Sequence, residues 1–155
     1  MGEWPEAMLR LWCEGLARTC RGQRIDAQGR PYLTRYFLAG WNPWTKRKGS
    51  TLYLHHFVAS DPSDQVHSHP WAWGASLMLV GGYREYRCTG QTATVQTFRP
   101  GAVNHFGVTD RHRIELLGAD CWTLLLVGDY AQPWGFEPAC DDGAGVAGAA
   151  GGAAD

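Results

Sequence analysis

The chain has 155 residues, 45% of them hydrophobic and 19% charged, which gives room for one packed domain and excludes both a multi-domain machine and a chain disordered throughout. With 14 basic side chains against 15 acidic ones the formal charge is −1, so the broad basic footprint of a nucleic-acid binder is missing and a small molecule is the expected partner. No run of about 18 apolar residues exists, and the N-terminus lacks the basic-then-apolar order of a secretory signal. Neither membrane insertion nor export is expected, and the cytoplasm is the default location.

From Pro5 to Arg21 the residues Met8, Leu9, Trp12, Leu16 and Cys20 recur three and four apart, the stripe of an amphipathic helix opened by a proline. After Arg30 the pattern changes to short β-rich runs cut by turn residues: Tyr32–Ala39, Leu52–Ala59, Ala75–Val80, Tyr83–Cys88, Thr92–Phe98, Ala102–Phe106, His112–Leu117 and Trp122–Val127. No helical pattern between these runs is long enough to cross between parallel strands. The fold class is therefore all-β, an antiparallel sandwich or barrel of jelly-roll type with the N-terminal helix outside it. The segment from Trp41 to Gly49 combines two tryptophans with three cations, and reads as a solvated hairpin loop or a substrate lid. Past Asp141 the chain is almost wholly Gly and Ala, which cannot pack and predicts a flexible tail. The implied organisation is a helical extension over 1–30, a barrel over 31–138 and a tail over 139–155. The five cysteines form no C-x-x-C pair and are odd in number, an argument for reduced thiols over a disulfide framework.

Chemistry concentrates in the six histidines, which fall in pairs: His55 and His56, His67 and His69, His105 and His112. Residues i and i+2 of a strand project on one face about 6–7 Å apart, so His67-Ser68-His69 can aim two imidazoles at one metal ion. A second segment, Pro100-Gly101 through to His112, places a histidine at the start of a strand eleven residues after a turn glycine. Alternation through His112, Ile114 and Leu116 turns that imidazole inward, and leaves Arg113 and Glu115 on the outer face.

With these two segments in view the sequence resembles a cupin. The first motif is His67-x-His69 followed by a strand ending at Gly81-Gly82, and the second is Pro100-Gly101 with His112. The phrase His67-Ser68-His69-Pro70-Trp71, leading to Gly81-Gly82-Tyr83-Arg84-Glu85, further resembles a subgroup of small bacterial and phage cupins. The resemblance spans about residues 31–138 and implies a cupin-type jelly-roll barrel with metal ligands His67, His69 and His112. One departure stands out: the family's glutamate, four or five residues after the second histidine, is replaced by Trp73 and Gly74. The expected ligand set is then three neutral imidazoles with no protein charge to balance the ion, a centre that favours an anionic ligand.

Three histidines suit Fe²⁺, Zn²⁺, Ni²⁺ or Cu²⁺ better than Mg²⁺ or Ca²⁺. Fe²⁺ is favoured here because three-histidine thiol dioxygenases share the cupin fold. Around the centre, Glu85 is a candidate general acid/base or fourth ligand, or else the exposed partner of a neighbouring arginine. It shares a strand face with Tyr83 and Arg87, and Tyr83 is placed with it in the pocket. His105 is a second catalytic candidate, as an additional imidazole reaching the cavity. His55 is read as a pocket residue, and Trp71 and Trp73 as pocket walls or core. The expected function is a mononuclear metal-dependent cupin enzyme, dioxygenase-like, oxidising a small anionic metabolite. A zinc or nickel Lewis-acid isomerase, cyclase or lyase is the first alternative, and a non-enzymatic ligand-binding module the second. Cupins often pair, so a homodimer is a further expectation.

Overall fold

A computed structural model describes residues 5–40, 49–89 and 92–140. Residues 41–48 of the Trp41–Gly49 segment, read as a solvated hairpin loop or a substrate lid, and the Gly/Ala tail beyond Cys140 lie outside the described residues. One helix, α1 (Glu6–Thr19), precedes eleven strands: β1 (Gly22–Ala27), β2 (Arg30–Gly40), β3 (Thr51–Phe57), β4 (Gln65–His67), β5 (Trp73–Val80), β6 (Tyr83–Thr89), β7 (Thr92–Phe98), β8 (Val103–Gly107), β9 (His112–Leu116), β10 (Cys121–Val127) and β11 (Phe136–Pro138). They form two antiparallel sheets, one ordered β1-β2-β3-β10-β5-β8 and the other β11-β4-β9-β6-β7. This is the all-β jelly-roll architecture expected from the sequence. Among the described residues, however, no hydrogen-bonded pairing joins the two sheets into a closed barrel.

The period-2 pattern of each strand decides what lies between the sheets and what lies outside. On β3, Tyr53 and His55 face the interior while Leu54 faces the helix. On β10, Leu125 and Val127 pack inward with Tyr53, Trp71 and Phe106, whereas Trp122 lies under the helix with Leu54 and Val80. The centre of the six-stranded sheet is thus buried on both faces, which is why Cys121–Val127 reads as a nearly continuous apolar run broken at Thr123. From α1, the buried Cys13 with Leu9, Leu16 and Ala17 completes that outer layer.

Polar contacts fix the helix to the sheet. Arg10 forks onto both oxygens of Asp120 at 2.7 and 2.9 Å, His56 Nε2 lies 2.9 Å from the same carboxylate, and Gly81 N–H donates to Glu6 Oε1. His56, read from the sequence as facing away from the cavity, does so and stacks on Trp122 at 3.9 Å. The turn between β5 and β6 needs Gly81, whose φ of +72° is costly for residues with a Cβ. Gly101 does the same before β8, at φ +89°.

Three strands were not anticipated. β1 is polar and exposed, so it carries no alternation signal, yet it pairs with β2 through a turn at Gln28-Gly29. The sheet therefore begins at Gly22, inside the segment expected to be a helical extension. β4 and β11 have three residues each, too short for any periodicity. The cysteine expectation also needs correction: Cys88 and Cys140 form a disulfide across a sequence separation of 52. β6 and the residue pair after β11 bring their Cα atoms to 5.8 Å, a proximity that spacing along the chain does not reveal. Cys13 and Cys121 are buried free thiols, in line with the expectation of reduced thiols. No helix among the described residues is long and apolar enough to cross a membrane.

Candidate metal centre

The site is assembled chiefly by the pairing of β4 with β9, where His67 and His112 are direct cross-strand partners. Direct partners project to the same side of a sheet with side chains in contact. His69 lies two residues beyond His67, past the end of β4, so the H-x-H pair straddles a strand end instead of sharing a strand face. Its ring is held by stacking on Phe106 of β8, with centroids 3.8 Å apart. His112 Nε2 lies 3.1 Å from His67 Nε2 and 3.2 Å from His69 Nε2. Metal–nitrogen bonds of about 2.0–2.1 Å place neighbouring ligand nitrogens about 2.9–3.4 Å apart, so the three imidazoles are spaced to hold one transition-metal ion. They also form the group of potential ligands found among the described residues.

What lies behind the rings explains their orientation. Glu85 is 2% exposed and accepts a hydrogen bond from His112 Nδ1. It also accepts from Asn104 Nδ2 at 2.7 Å and Arg87 Nη2 at 3.1 Å. Asp61, 6% exposed, places Oδ2 3.2 Å from His67 Nδ1 and accepts from Ile114 N–H at 2.7 Å. A carboxylate on Nδ1 fixes the tautomer whose Nε2 lone pair faces the cavity.

Protonation states agree with that role. Burial alone disfavours the Glu85 carboxylate, but the bonds from His112, Asn104 and Arg87 outweigh it and bring its pKa to about 2. Burial likewise opposes ionisation of Asp61, and the attraction of His67, with the hydrogen bond from the Ile114 N–H, overcomes it, so its pKa falls. His112 is lowered by burial against the pull of Glu85, and His69 is pushed well below the ordinary histidine value by burial and then by His112 and His67. Two neutral imidazoles and two buried anions are the forms that metal binding requires.

This changes two expectations. Glu85 is neither a fourth ligand nor a partner on the exposed surface; it stands behind His112 and orients it. The centre is also not uncompensated, because two carboxylates balance a divalent charge at one remove. His105 leaves the site altogether: on β8 the buried Asn104 and Phe106 face inward, so His105 is exposed. Trp73 is 43% exposed and covers Gly128 instead of walling the pocket. Trp71, His55 and Tyr83 are buried and line a cavity of about 350 Å³ together with the triad. The replaced motif glutamate has a physical counterpart. Gly74 is the inward-facing one of the two positions, and a Cβ there would overlap the ring of Phe106. The aromatic ring stacked on His69 fills the room a fourth ligand would take.

Sequence reasoning missed Asp61, Asn104 and Arg35. Asp61 sits in an irregular Asp-Pro-Ser-Asp stretch with no period to orient it. Arg35 had a signal, since it falls in phase with Leu33 and Phe37 on β2 and so shares their inward face.

The fold and the site define a cupin-type jelly roll with three converging imidazoles. Solved structures of this fold include HppE with Fe(II) and the alternative substrate (S)-1-HPP, at 9% identity and a TM-score of 0.58 over 72% of this chain and 57% of HppE. DMSP lyase DddQ from Ruegeria pomeroyi DSS-3 is similar at 14% identity and a TM-score of 0.62, covering 86% of this chain and 69% of that one. Bacillus subtilis oxalate decarboxylase OxdC, which has Mn(II) centres, is similar at 16% identity and 0.52, over 72% of this chain and 29% of OxdC. At such identities the likeness is one of fold, and the chain spans little more than half of HppE. No protein-family model matches the sequence, and no curated protein does.

Proposed function

We propose that the protein is a mononuclear metal-dependent enzyme that oxidises a small anionic metabolite with dioxygen, His67, His69 and His112 holding the ion. The observation that carries this is the approach of His67 and His69 Nε2 to His112 Nε2 at 3.1 and 3.2 Å, with buried carboxylates behind two of the rings. With Nδ1–H of His112 turned to Glu85, its Nε2 lone pair is left toward the other two imidazoles, where a shared ion can take it. Fe²⁺ is the favoured ion, with Zn²⁺, Ni²⁺ or Cu²⁺ able to use the same donors. A redox-active ion at this position supplies one-electron chemistry for dioxygen.

The chain's own residues provide the rest. Trp71, Phe106, Ile114 and Leu125 wall the cavity and keep water from the reacting atoms. Tyr83 accepts from Asn104 Nδ2 at 3.1 Å, and burial raises its pKa above the usual phenol range. It stays a neutral phenol whose O–H is left to donate to a bound substrate.

A Lewis-acid lyase or isomerase reading draws support from the lyase and decarboxylase among the fold's relatives. Elemental analysis of protein purified without chelator, joined to assays with and without oxygen, separates the two. Stoichiometric iron with oxygen uptake is expected; turnover under argon with zinc favours the alternative. The variants His67→Ala and His112→Ala should each lose the metal, and full metal content in both would remove the assignment.

A further inference from the structure

We infer that the cavity wall facing the triad is a binding subsite for the acid group of the substrate, an oxyanion held by Arg35 with His55 and Thr123 beside it. The three residues lie in one row across the six-stranded sheet, because His55 on β3 is the register partner of Arg35 on β2 and of Thr123 on β10. Residues in such a row project to the same side, and all three line the cavity. Their neighbours on that face, Leu33, Phe57 and Leu125, are apolar, so this is a polar strip set into a hydrophobic wall.

Two members of the row, Arg35 and Thr123, have bonding capacity left unspent. Arg35 Nε donates to His55 Nε2 at 3.2 Å, and its guanidinium carbon lies 5.0 Å from the Trp71 ring centroid and 5.1 Å from that of Tyr53. No carboxylate among the described residues pairs with it. A guanidinium has five N–H donors in a fixed fork, and ring faces offset only part of what desolvating the charge costs. Thr123 is 1% exposed, and its hydroxyl has no hydrogen-bond partner. A cation and an unpaired hydroxyl, at the two ends of a row with His55 between them, both gain when an oxyanion takes the fork.

Charge accounting points the same way. Asp61 and Glu85 balance a divalent ion on the triad, and Arg87 is shared between Glu85 and Asp110. Arg35 is then the cavity's unbalanced charge. The acid end of the substrate goes to Arg35, which leaves the triad side for a second donor group, and the metabolite is bifunctional. The cavity, about 350 Å³, falls at the small end of the usual range of about 300–1,000 Å³. The role of that second donor rests on the proposed metal centre; the subsite stands on residues of the other sheet.

The test is calorimetric titration of zinc-loaded and metal-stripped protein with acetate, methylphosphonate and the uncharged methyl acetate. At least one oxyanion is expected to bind both forms, and the ester neither; the preferred oxyanion tells carboxylate from phosphonate substrates. Arg35→Gln should weaken oxyanion binding at least tenfold, with Arg35→Lys falling between it and wild type and Thr123→Val losing a few-fold. Zinc content, read in the same samples, separates the two claims. Equal oxyanion affinity in wild type and Arg35→Gln, or in wild type and a folded Arg35→Lys with no change at Thr123→Val, overturns the subsite whatever the zinc content. Arginine-dependent binding in a protein that takes up no zinc supports the subsite and removes the metal centre.

Discussion

Glu85 and Asp61 act at the scale of single atoms. Each takes the far nitrogen of an imidazole, and in doing so sets where the near nitrogen points. Removing the charge from Glu85 while keeping its shape should therefore weaken the metal and not the fold. Glu85→Gln can still meet His112, but as a neutral amide it raises ring basicity less and can present the wrong atom. Carboxylates in this position are worth about 10–100-fold in metal affinity. Competition for zinc against a chromophoric chelator should show a loss in that range for Glu85→Gln. Glu115→Gln is the control, because Glu115 binds Arg84 and Tyr86 on the outer face. Equal affinities for the two variants would mean that the Glu85 contact is a packing detail. The three histidines were legible in the sequence because two spaced segments pick them out. Their supports were not: the face of β6 that points inward depends on which strand packs opposite, and Asp61 comes from an irregular stretch that no period governs.

Strands and helix place these atoms, and their edges show where local pattern suffices. Runs with an apolar phase, such as Ala75–Val80 and Thr92–Phe98, come out within a residue or two of the observed strands. β4 and β11 exist only as partners of other strands, so nothing local marks them, although β4 carries His67. The helix was legible through its stripe, but its anchoring was not. Arg10 and His56 both meet Asp120, residues far apart in the chain. The Arg10 hydrogen bond, joined by that of His56, overcomes burial and lowers the Asp120 pKa to about 2. An unfolded Asp titrates near about 3.9, so the anchored carboxylate's contribution is complete at neutral pH and drains away as pH falls from about 4 towards 2. For a partly exposed pair it is worth about 1 kcal/mol. Urea unfolding should find Asp120→Asn less stable than wild type by about that amount at pH 7, with the gap roughly halved at pH 3 and closed by about pH 2. A gap that persists unchanged at pH 3 would show that the carboxylate charge is not what holds the helix.

For the molecule as a whole, the site is what forms when two sheets with different inner faces close on each other. One contributes His67, His112, Glu85 and Tyr83; the other contributes Arg35, His55, Thr123 and the Phe106 ring that holds His69. Sequence alone identified the metal side because its spacing repeats a family motif. On the facing side it named His55 but missed Arg35 and Thr123, because a cross-strand row joins residues 35, 55 and 123 through register, which no linear pattern records. The histidines are brought together only in the folded state, so metal binding must be coupled to folding. An ion that binds the native and not the unfolded chain stabilises it by about 2.7 kcal/mol at a hundred times its dissociation constant, and by about 1.4 kcal/mol more for each further tenfold. For a chain of this length the first figure corresponds to a rise in Tm of roughly 5–10 °C. Wild type stripped with EDTA should melt lower by that margin, recover on adding zinc, and climb steadily with zinc concentration. His67→Ala and His112→Ala should melt at one temperature regardless of zinc. If stripped wild type shows the same indifference, the three rings meet without serving an ion, and the chemistry argued for this cavity has no centre.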